Sequence, residues 1–377
     1  MIYELAALPG DGIGPEVTTQ ARKVLNKAAQ KLGFTIKWRD FPFGAAYYLA
    51  QGHVLPKGAL DDIGSCQALL LGAVGDPRVP PGPLERELLL ALRFHFDQYL
   101  NIRPAKSFPN VPLPRPLGPG EKLDIVVVRE NTEDFYMGLG GLLGPQKTNH
   151  EIAATRKLYQ FKASLTATLD PELNGTFSVG LLTEPAIRRI AKKAYSLAVA
   201  RGDKIVHVAT KANALPDFYG YWDRITRQEA ENFPEIKAIH INVDNLCYQL
   251  PRDPNGFGVI LCPNLFGDIV SDLVSALAGG LGLAASGNLG DGLAMFEPVH
   301  GSAPDIAGTG KANPLAAILS GALLLESLNL KAAANLVERA VVGYLAEGRN
   351  LPRELGGPAT VERVGELVLA QMDQYEP

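Results

Sequence analysis

The feature that most constrains the fold is a repeated order of short apolar run, polar turn and helical stretch. Ile2 to Leu8 has the composition of a buried strand, and after the next turn apolar residues recur at helical spacing through Leu32. Comparable apolar runs occur at 68–71, 123–128, 178–182, 204–209, 238–243 and 258–261. This alternation predicts an α/β fold, in which ligands collect beyond the carboxyl ends of the strands. The polar residues that follow these runs are therefore the first candidates for a functional site.

Length and composition indicate a compact two-domain protein without a polyanionic partner. At 377 residues the chain exceeds one ordinary domain, so two domains are expected. Its 46% hydrophobic and 20% charged residues argue against disorder and against a coiled coil. The formal net charge of −4 supplies no basic surface for nucleic acid or for an anionic membrane.

The sequence pattern predicts a cytoplasmic protein without disulfides. The first residues lack a basic segment followed by an apolar stretch, and no later run reaches the roughly 18 apolar residues of a membrane span. Cys66, Cys247 and Cys262 are far apart and lack the spacing of a zinc site or a disulfide framework.

The glycine-rich turn after the first strand does not predict a Rossmann site. In Gly10-Asp11-Gly12-Ile13-Gly14 the third glycine comes one residue too early for the G-x-G-x-x-G pattern. The permissive backbone of glycine explains the turn as a chain reversal before the helix.

The loop from Glu297 to Gly308 is a better cofactor signal. It combines His300, Gly301 and Asp305 with further glycine, and such a loop can wrap a nucleotide. An Asp beside a ribose accepts hydrogen bonds from its hydroxyls and repels an added phosphate. Asp305 in that place would favour NAD over NADP.

An acidic pair indicates a divalent metal. Asp268 and Asp272 are four residues apart in an apolar helical stretch and therefore share one helix face. Like charges at this spacing weaken a helix by about 0.2–0.5 kcal/mol unless a cation lies between them. Oxygen ligands suit Mg2+ or Mn2+, and Asp244 after a predicted strand is a candidate third carboxylate. The spacing fits equally one Asp that caps the helix and another that faces water.

Three arginines are candidates for binding an acidic small molecule: Arg93, Arg103 and Arg129. Arg129 directly follows an apolar strand, and its planar guanidinium matches a carboxylate with two parallel hydrogen bonds. Tyr136 and Lys211 each lie a few residues past a strand, where burial and nearby cations can tune them for acid/base work. Taken singly, each of these residues is also explained by a surface ion pair or by packing.

Five segments together resemble the isocitrate/isopropylmalate dehydrogenase family of metal-dependent β-decarboxylating dehydrogenases. The resemblance extends over essentially the whole chain. The segments are Leu8 to Glu16, Leu92-Arg93 followed by Asn101 to Pro104, Val128 to Glu133, Asn264 to Asp272, and Glu297 to Gly308 with Asn313-Pro314. Chance agreement at five ordered segments is negligible.

The resemblance implies a two-domain, isopropylmalate dehydrogenase-like α/β fold with non-Rossmann dinucleotide binding. Residues 1–98 and 279–377 are expected to form the cofactor-binding domain, and residues 99–278 the substrate and dimerisation domain. The family further implies a homodimer whose active sites are shared, with an arm at about residues 138–175 in the interface.

The resemblance also implies roles for the candidate residues. The arginines that resemble the substrate carboxylate clamp are Arg93, Arg103 and Arg129. The aspartates that resemble the ligands of Mg2+ or Mn2+ are Asp244, Asp268 and Asp272. Asp244 would be supplied by the partner subunit.

Proton transfer and cofactor binding have counterparts in the family as well. Lys211 resembles the base that helps to remove the hydroxyl proton while hydride moves to NAD, and Tyr136 resembles the acid that protonates the enolate after carbon dioxide departs. The residues that match the cofactor site are Glu297, His300, Gly301, Asp305 and Asn313. Asp305 followed by isoleucine fits the NAD-preferring members.

The helix before the first arginine sets substrate choice in this family, and here it is rich in leucine. Leu89 and Leu90 lie four and three residues before Arg93, so they share its helix face and can offer an apolar surface to a branched alkyl group. This favours 3-isopropylmalate as substrate. Glu87 stands where isocitrate enzymes have a serine and would repel a third carboxylate, which disfavours isocitrate and homoisocitrate.

Two alternatives stay open. Residues 72–77 and 97–99 also resemble tartrate and D-malate dehydrogenases, whose substrates are small. From another class, the chain can be a non-catalytic regulatory subunit, although such subunits typically lose a clamp arginine, the lysine or a metal carboxylate, and here all are present. Two departures from the family pattern are Thr210 before Lys211, where Asp or His is expected, and the long insertion after Gly138.

Overall fold

The computed structural model describes residues 1–118 and 120–375 and has the predicted mixed α/β fold. Its strands are β1 (Ile2–Gly10), β2 (Thr35–Asp40), β3 (Ala68–Ala73), β4 (Leu100–Lys106), β5 (Asp124–Glu130), β6 (Asp134–Leu143), β7 (Thr148–Thr155), β8 (Gln160–Ala167), β9 (Gly175–Leu181), β10 (Ile205–Thr210), β11 (Lys237–Asn242), β12 (Val259–Cys262), β13 (Ala285–Leu289) and β14 (Ala294–Pro298).

The α-helices alternate with these strands. They are α1 (Gly14–Lys31), α2 (Ala45–Gln51), α3 (Ala59–Gly64), α4 (Ala91–His95), α5 (Glu184–Arg201), α6 (Pro216–Ala230), α7 (Val243–Gln249), α8 (Asn264–Leu277), α9 (Leu315–Ser327), α10 (Lys331–Ala346) and α11 (Val361–Asp373). A π-helix occupies Glu85–Leu90, and short 3-10 helices occupy Pro254–Gly256, Leu281–Leu283 and Arg353–Leu355. Within the described residues, no helix has both the length and the apolarity needed to cross a membrane.

The chain divides into two compact units. The first unit comprises Met1–Val127, Cys247–Phe257 and Val270–Pro377, and the second comprises Val128–Leu246 and Gly258–Ile269. Both chain ends lie in the first unit. The predicted boundaries differ from this division, because residues 99–127, 247–257 and 270–278 also belong to the first unit. The assignment of cofactor and substrate binding to separate domains stays a prediction.

In the first unit the strand order is β4-β13-β14-β3-β1-β2. The pairs β14–β3, β3–β1 and β1–β2 are parallel, whereas β13 is antiparallel to both β4 and β14. Every residue of β3 is buried, as expected for a parallel strand that is covered on both faces. Helices α1, α9, α10 and α11 pack together over this part of the sheet. The pairing of β4 with β13 explains why the first unit continues past residue 98.

The second unit contains a parallel group in the order β11-β10-β12, with α5 and α6 packed on it. Two antiparallel pairs, β6 with β9 and β7 with β8, occupy the segment predicted to be an arm. The β7–β8 pair is a hairpin whose turn spans residues 156–159. A continuous run of buried polar residues, Arg129 to Asp134, begins at the end of β5.

Candidate active site

A cluster in the second unit joins Arg129, Tyr136 and Asp268. Arg129 is 1% exposed; its Nε donates to Asn264 Oδ1 at 2.9 Å and its Nη1 donates to Asp268 Oδ1. The Tyr136 hydroxyl donates to Asp268 Oδ2 at 2.6 Å, and the Arg129 guanidinium lies over the Tyr136 ring. Both oxygens of Asp268 are therefore oriented, while its side chain stays 37% exposed.

The local backbone explains how these groups meet. Gly267 leaves room for the arginine stem, because a Cβ there would lie 2.5 Å from Arg129 Cγ. Asp134 has a φ of 63°, and its Oδ2 accepts from the Leu265 backbone N–H at 2.8 Å in the first turn of α8. Its Oδ1 accepts from the Tyr219 hydroxyl at 3.2 Å, and burial raises the pKa of the Asp134 carboxyl. Asp134 thereby fixes the start of the helix that carries Asp268.

A second pair in the same unit brings together Lys211 and Asp244. Lys211 follows β10 and Asp244 lies in the first turn of α7, with Lys211 Nζ 2.6 Å from Asp244 Oδ1. The hydrogen bond from Lys211 lowers the pKa of the Asp244 carboxyl. Thr210, the departure from the family pattern, is buried and its Oγ1 accepts from the Ala212 backbone N–H at 3.2 Å. It helps to hold the turn that presents the lysine.

In the first unit two buried arginines line a cavity of about 140 Å3. Arg103 on β4 donates from Nε to Asn101 Oδ1 at 2.9 Å and from Nη1 to Ser271 Oγ at 2.7 Å. The same Nη1 lies 3.4 Å from Asp272 Oδ1. Arg93 and Arg103 are each 8% exposed. Two guanidinium groups in a small, largely desolvated space suit a carboxylate ligand.

Apolar surface in this cavity comes from the helix before Arg93, whose geometry differs from the prediction. Glu85–Leu90 is π-helical, and α4 begins only at Ala91. π-helical turns are rare and frequent at functional sites. Leu89 lines the cavity together with Arg93, whereas Leu90 is half-buried and is not among the described residues that line it. Glu87 is exposed and also lies outside this lining.

The predicted cofactor loop forms another wall of the same cavity. Glu297, His300 and Gly301 are among the lining residues. The Glu297 carboxylate Oε1 accepts from Asn288 Nδ2 at 2.8 Å and pairs with Arg93 Nη2 at 3.3 Å. Burial lowers the pKa of the His300 imidazole, which favours the neutral ring, and Nε2 has no hydrogen-bond partner among the described residues. A buried ring nitrogen in a cavity wall is suited to a polar ligand group.

Acidic side chains from elsewhere in the first unit hold Gly308 and Asn313, at the end of the predicted cofactor segment. Asp305 is exposed at the loop surface. The Gly308 backbone N–H donates to Glu16 Oε1 at 2.5 Å. Asn313 donates from Nδ2 to Glu354 Oε2 at 2.9 Å, and Glu354 Oε1 accepts from the Gly282 backbone N–H at 3.0 Å. The loop is therefore a supported structure and not a free connection.

The glycine-rich turn also supports this loop, so its interpretation as a chain reversal alone is incomplete. The Ile13 backbone N–H donates to the Ser302 carbonyl at 2.8 Å. Gly12 has a φ of 57°, and a Cβ there would lie 2.0 Å from the Ser302 oxygen. Glycine is required at this position by both backbone conformation and space.

The acidic pair lies on α8, one helical turn apart, as the spacing predicted. The carboxylate side chains are partly exposed, 37% for Asp268 and 56% for Asp272, and each also pairs with an arginine of the chain. Their oxygen donors fit Mg2+ or Mn2+. Within residues 1–118 and 120–375, no group of three or more His, Cys, Asp or Glu side chains is arranged to hold a metal ion. The third candidate, Asp244, is paired with Lys211 in the same chain.

Several polar partners of the site have no role in the sequence-based prediction: Asn101, Asn264, Ser271, Asn288 and Glu354. Asn264 lies on α8 four residues before Asp268, and Ser271 directly precedes Asp272, so both fall inside a segment that resembles the family. Asn101 Nδ2 donates to Asn288 Oδ1 at 3.0 Å across 187 residues of chain, and no local pattern reveals such a contact.

Comparisons with known proteins show which family the chain resembles over nearly its whole length. The model of the isocitrate/isopropylmalate dehydrogenase family matches residues 4–368. The 3-isopropylmalate dehydrogenase of Thermobifida fusca is 40% identical over 367 residues, with 96% of each chain covered. That of Streptomyces avermitilis is 42% identical over 368 residues, which cover 96% of this chain and 98% of the relative.

Solved structures show the same likeness. The crystal structure of isocitrate dehydrogenase from Methylococcus capsulatus superposes with a TM-score of 0.84 at 31% identity and covers 98% of this chain and 99% of that chain. The apo form of a beta-decarboxylating dehydrogenase from Thermococcus kodakarensis gives a TM-score of 0.74 at 36% identity, with coverage of 99% and 96%. The chain belongs to the isocitrate/isopropylmalate dehydrogenase family of decarboxylating dehydrogenases that act on a CH–OH group.

Proposed function

We propose that the protein catalyses the NAD-dependent oxidative decarboxylation of 3-isopropylmalate to 2-oxo-4-methylpentanoate and carbon dioxide. The observation that carries the substrate assignment is the first-unit cavity, in which Leu89 lies with Arg93 and Arg103. Such a cavity offers cations to a carboxylate and apolar surface to an isopropyl group. Relatives at 40–42% identity that bear the name 3-isopropylmalate dehydrogenase support the same assignment.

The residues present fit both expected cofactors. NAD would be held by the loop residues Glu297, His300, Gly301, Asp305 and Asn313. Mg2+ or Mn2+ would be held by Asp268 and Asp272, with Asp244 contributed by a partner subunit in a homodimer. When bound, NAD accepts a hydride and the divalent ion acts as a Lewis acid on the reacting oxygens.

The arginines would bind and orient the two carboxylates of the diacid. Arg93, Arg103 and Arg129 are all buried, so an ion pair with substrate is little weakened by water. Each already has fixed hydrogen-bond partners in the chain, which limits reorganisation when substrate arrives.

Two residues would move protons. Lys211 would take the hydroxyl proton at Nζ, and its hydrogen bond to Asp244 keeps that nitrogen in a defined position. Tyr136 would give its phenolic proton to the carbon from which carbon dioxide departs. In the chain alone that proton is directed to Asp268 Oδ2, so the donor is held beside an expected metal ligand.

The experiment that tests this proposal is NADH formation by purified protein with Mn2+ and potassium present. The substrates 3-isopropylmalate, D-malate, tartrate and isocitrate are compared side by side, with NAD and NADP as oxidants. We expect the highest kcat/KM for 3-isopropylmalate with NAD. A clear preference for D-malate or tartrate would overturn the substrate assignment but not the reaction class. Absence of turnover with every diacid would instead support a regulatory subunit.

A further inference from the structure

The second unit contains a buried acidic cluster that the proposed reaction does not use. Glu130, Glu133 and Asp134 are each at most 1% exposed and lie in the segment between Arg129 and Tyr136. Burial raises the pKa of all three carboxyl groups, to about 8 for Glu133, where the neighbouring Glu130 charge adds to the effect. Acidic groups in a dry interior are costly unless hydrogen bonds or cations compensate them. Their partners therefore indicate what the cluster does.

Two of these acids fix the backbone of the segment. Glu130 Oε1 accepts from the Thr132 backbone N–H at 2.9 Å and from its hydroxyl at 2.7 Å, and Oε2 accepts from the Glu133 N–H at 2.8 Å. Glu133 in turn accepts from the Thr183 N–H at 2.7 Å and from the Thr183 hydroxyl at 2.6 Å. The conformation between Arg129 and Tyr136 is thus set by these side chains.

Cations reach the cluster from two other elements. Arg189 on α5 donates from Nη2 to the Thr132 hydroxyl at 3.4 Å. Burial raises the pKa of the Glu130 carboxyl, and the charge of Arg189 offsets part of that rise. Arg156, in the turn of the β7–β8 hairpin, donates from Nε to the Thr132 carbonyl at 3.4 Å. Burial lowers the pKa of the Arg156 guanidinium, and the charges of Glu130 and Glu133 oppose that shift.

The hairpin also places an aromatic side chain against the cluster. The Tyr159 hydroxyl is buried and has no hydrogen-bond partner among the described residues, and burial together with the nearby Glu133 charge raises the pKa of Tyr159. Within the described residues, strands β7 and β8 pair with each other. Strand β7 also lies against β6, the strand that contains Tyr136, so the position of the hairpin bears on that strand.

We propose that Arg156 and Tyr159 are positioning residues that lock the β7–β8 hairpin onto the segment carrying Arg129 and Tyr136. The hairpin then sets the geometry of a substrate-binding arginine and a proton donor without touching substrate. This inference rests on the proposed function, because only that function gives Arg129 and Tyr136 their roles. It gives the segment after Gly138 a positioning role in addition to the place in a dimer interface that the family resemblance implies.

The test compares Arg156→Met, which removes the charge and keeps most of the stem, with Lys162→Met at an exposed position of β8 as control. Hydrogen–deuterium exchange is measured on the full chain for residues 131–137 and 148–167. We expect Arg156→Met to speed exchange in both segments and Lys162→Met to leave both at wild-type rates. Faster exchange in the hairpin alone would overturn the proposal, as would no change in either segment. This readout needs no substrate, so its failure is separate from a failure of the proposed function.

Kinetics with the best diacid substrate separate positioning from bulk stability. Small misplacement of a reacting group reduces rate steeply, so we expect kcat for Arg156→Met to fall between about 10- and 100-fold while the KM for NAD is unchanged. Arg156→Lys should recover part of the loss. If Arg156→Met does not fold, Tyr159→Phe, which removes one oxygen, should give the same pattern with smaller amplitude. In that case, wild-type kcat together with wild-type exchange in Tyr159→Phe would overturn the proposal.

Discussion

Arg129 in the second unit and Arg93 in the first unit are both buried, yet their surroundings differ. Arg129 is held by Asn264 and Asp268, and Tyr136 donates to the same aspartate. Arg93 lines an open cavity in which Leu89 supplies apolar surface. Arg129 therefore orients a carboxylate and a phenol, which are groups suited to metal binding and proton transfer, whereas Arg93 borders the space that a substrate would fill.

Asp268→Asn tests whether the second-unit cluster is a chemical centre. The carboxamide keeps the shape of the side chain but removes the charge that pairs with Arg129 and that a bound divalent metal would need. We expect loss of several kcal/mol of transition-state stabilisation, about 1,000-fold in kcat, together with weaker Mn2+ binding by titration calorimetry. Asp62→Asn, at an exposed position, is the control. Activity within tenfold of wild type would remove Asp268 from the metal site.

Arginine-to-lysine substitutions test directly whether Arg129 and Arg93 have different roles. Arg129→Lys keeps the charge but loses the planar fork that contacts Asn264 and Asp268 together. We expect about 2–3 kcal/mol of lost stabilisation, roughly 100-fold in kcat/KM, with a large share in kcat. Arg93→Lys should act mainly through KM for the diacid, because Arg93 borders the cavity. Equal effects on kcat in both variants would abolish the distinction between the two arginines.

The fold class and the helix that carries the acidic pair are the parts most accessible from sequence, because both depend on local periodicity. Alternating apolar runs predicted the α/β fold, and the i, i+4 spacing placed Asp268 and Asp272 on one helix. Contacts between distant segments are not encoded locally. The pairing of β4 with β13, which moves the domain boundary beyond residue 98, and the Asn101–Asn288 hydrogen bond are of this kind.

The segment before Arg93 shows a different limit of sequence reasoning. A regular helix would place Leu89 and Leu90 on the face of Arg93, but the π-helix at Glu85–Leu90 alters the turn. Leu89 lines the cavity and Leu90 does not. Helical spacing alone gives no warning of a π turn, because the same apolar pattern fits both geometries.

The two leucines make a matched pair for testing substrate choice. Leu89→Ala should lower kcat/KM for 3-isopropylmalate roughly tenfold or somewhat more, which corresponds to about 1–2 kcal/mol of lost transition-state stabilisation. The kcat/KM for D-malate should change little, because D-malate has no isopropyl group. Leu90→Ala removes the same atoms outside the cavity lining and should leave the ratio of the two substrates near its wild-type value. A larger shift in that ratio for Leu90→Ala would contradict the cavity assignment.

Glu133→Gln tests the buried cluster through pH-dependent stability. Burial and the Glu130 charge raise the pKa of Glu133 from its ordinary 4.5 to about 8, so in this range the folded protein keeps a proton that the unfolded chain has released. The contribution of this carboxyl to the free energy of unfolding is therefore most favourable at low pH. It falls as the pH rises from 4.5 to about 8, by at most about 1.4 kcal/mol per pH unit. Urea unfolding of wild type and Glu133→Gln between these values should show the variant gaining relative stability as pH rises. The exposed Glu235→Gln is the control, and parallel pH profiles for Glu133→Gln and wild type would show that Glu133 keeps an ordinary pKa.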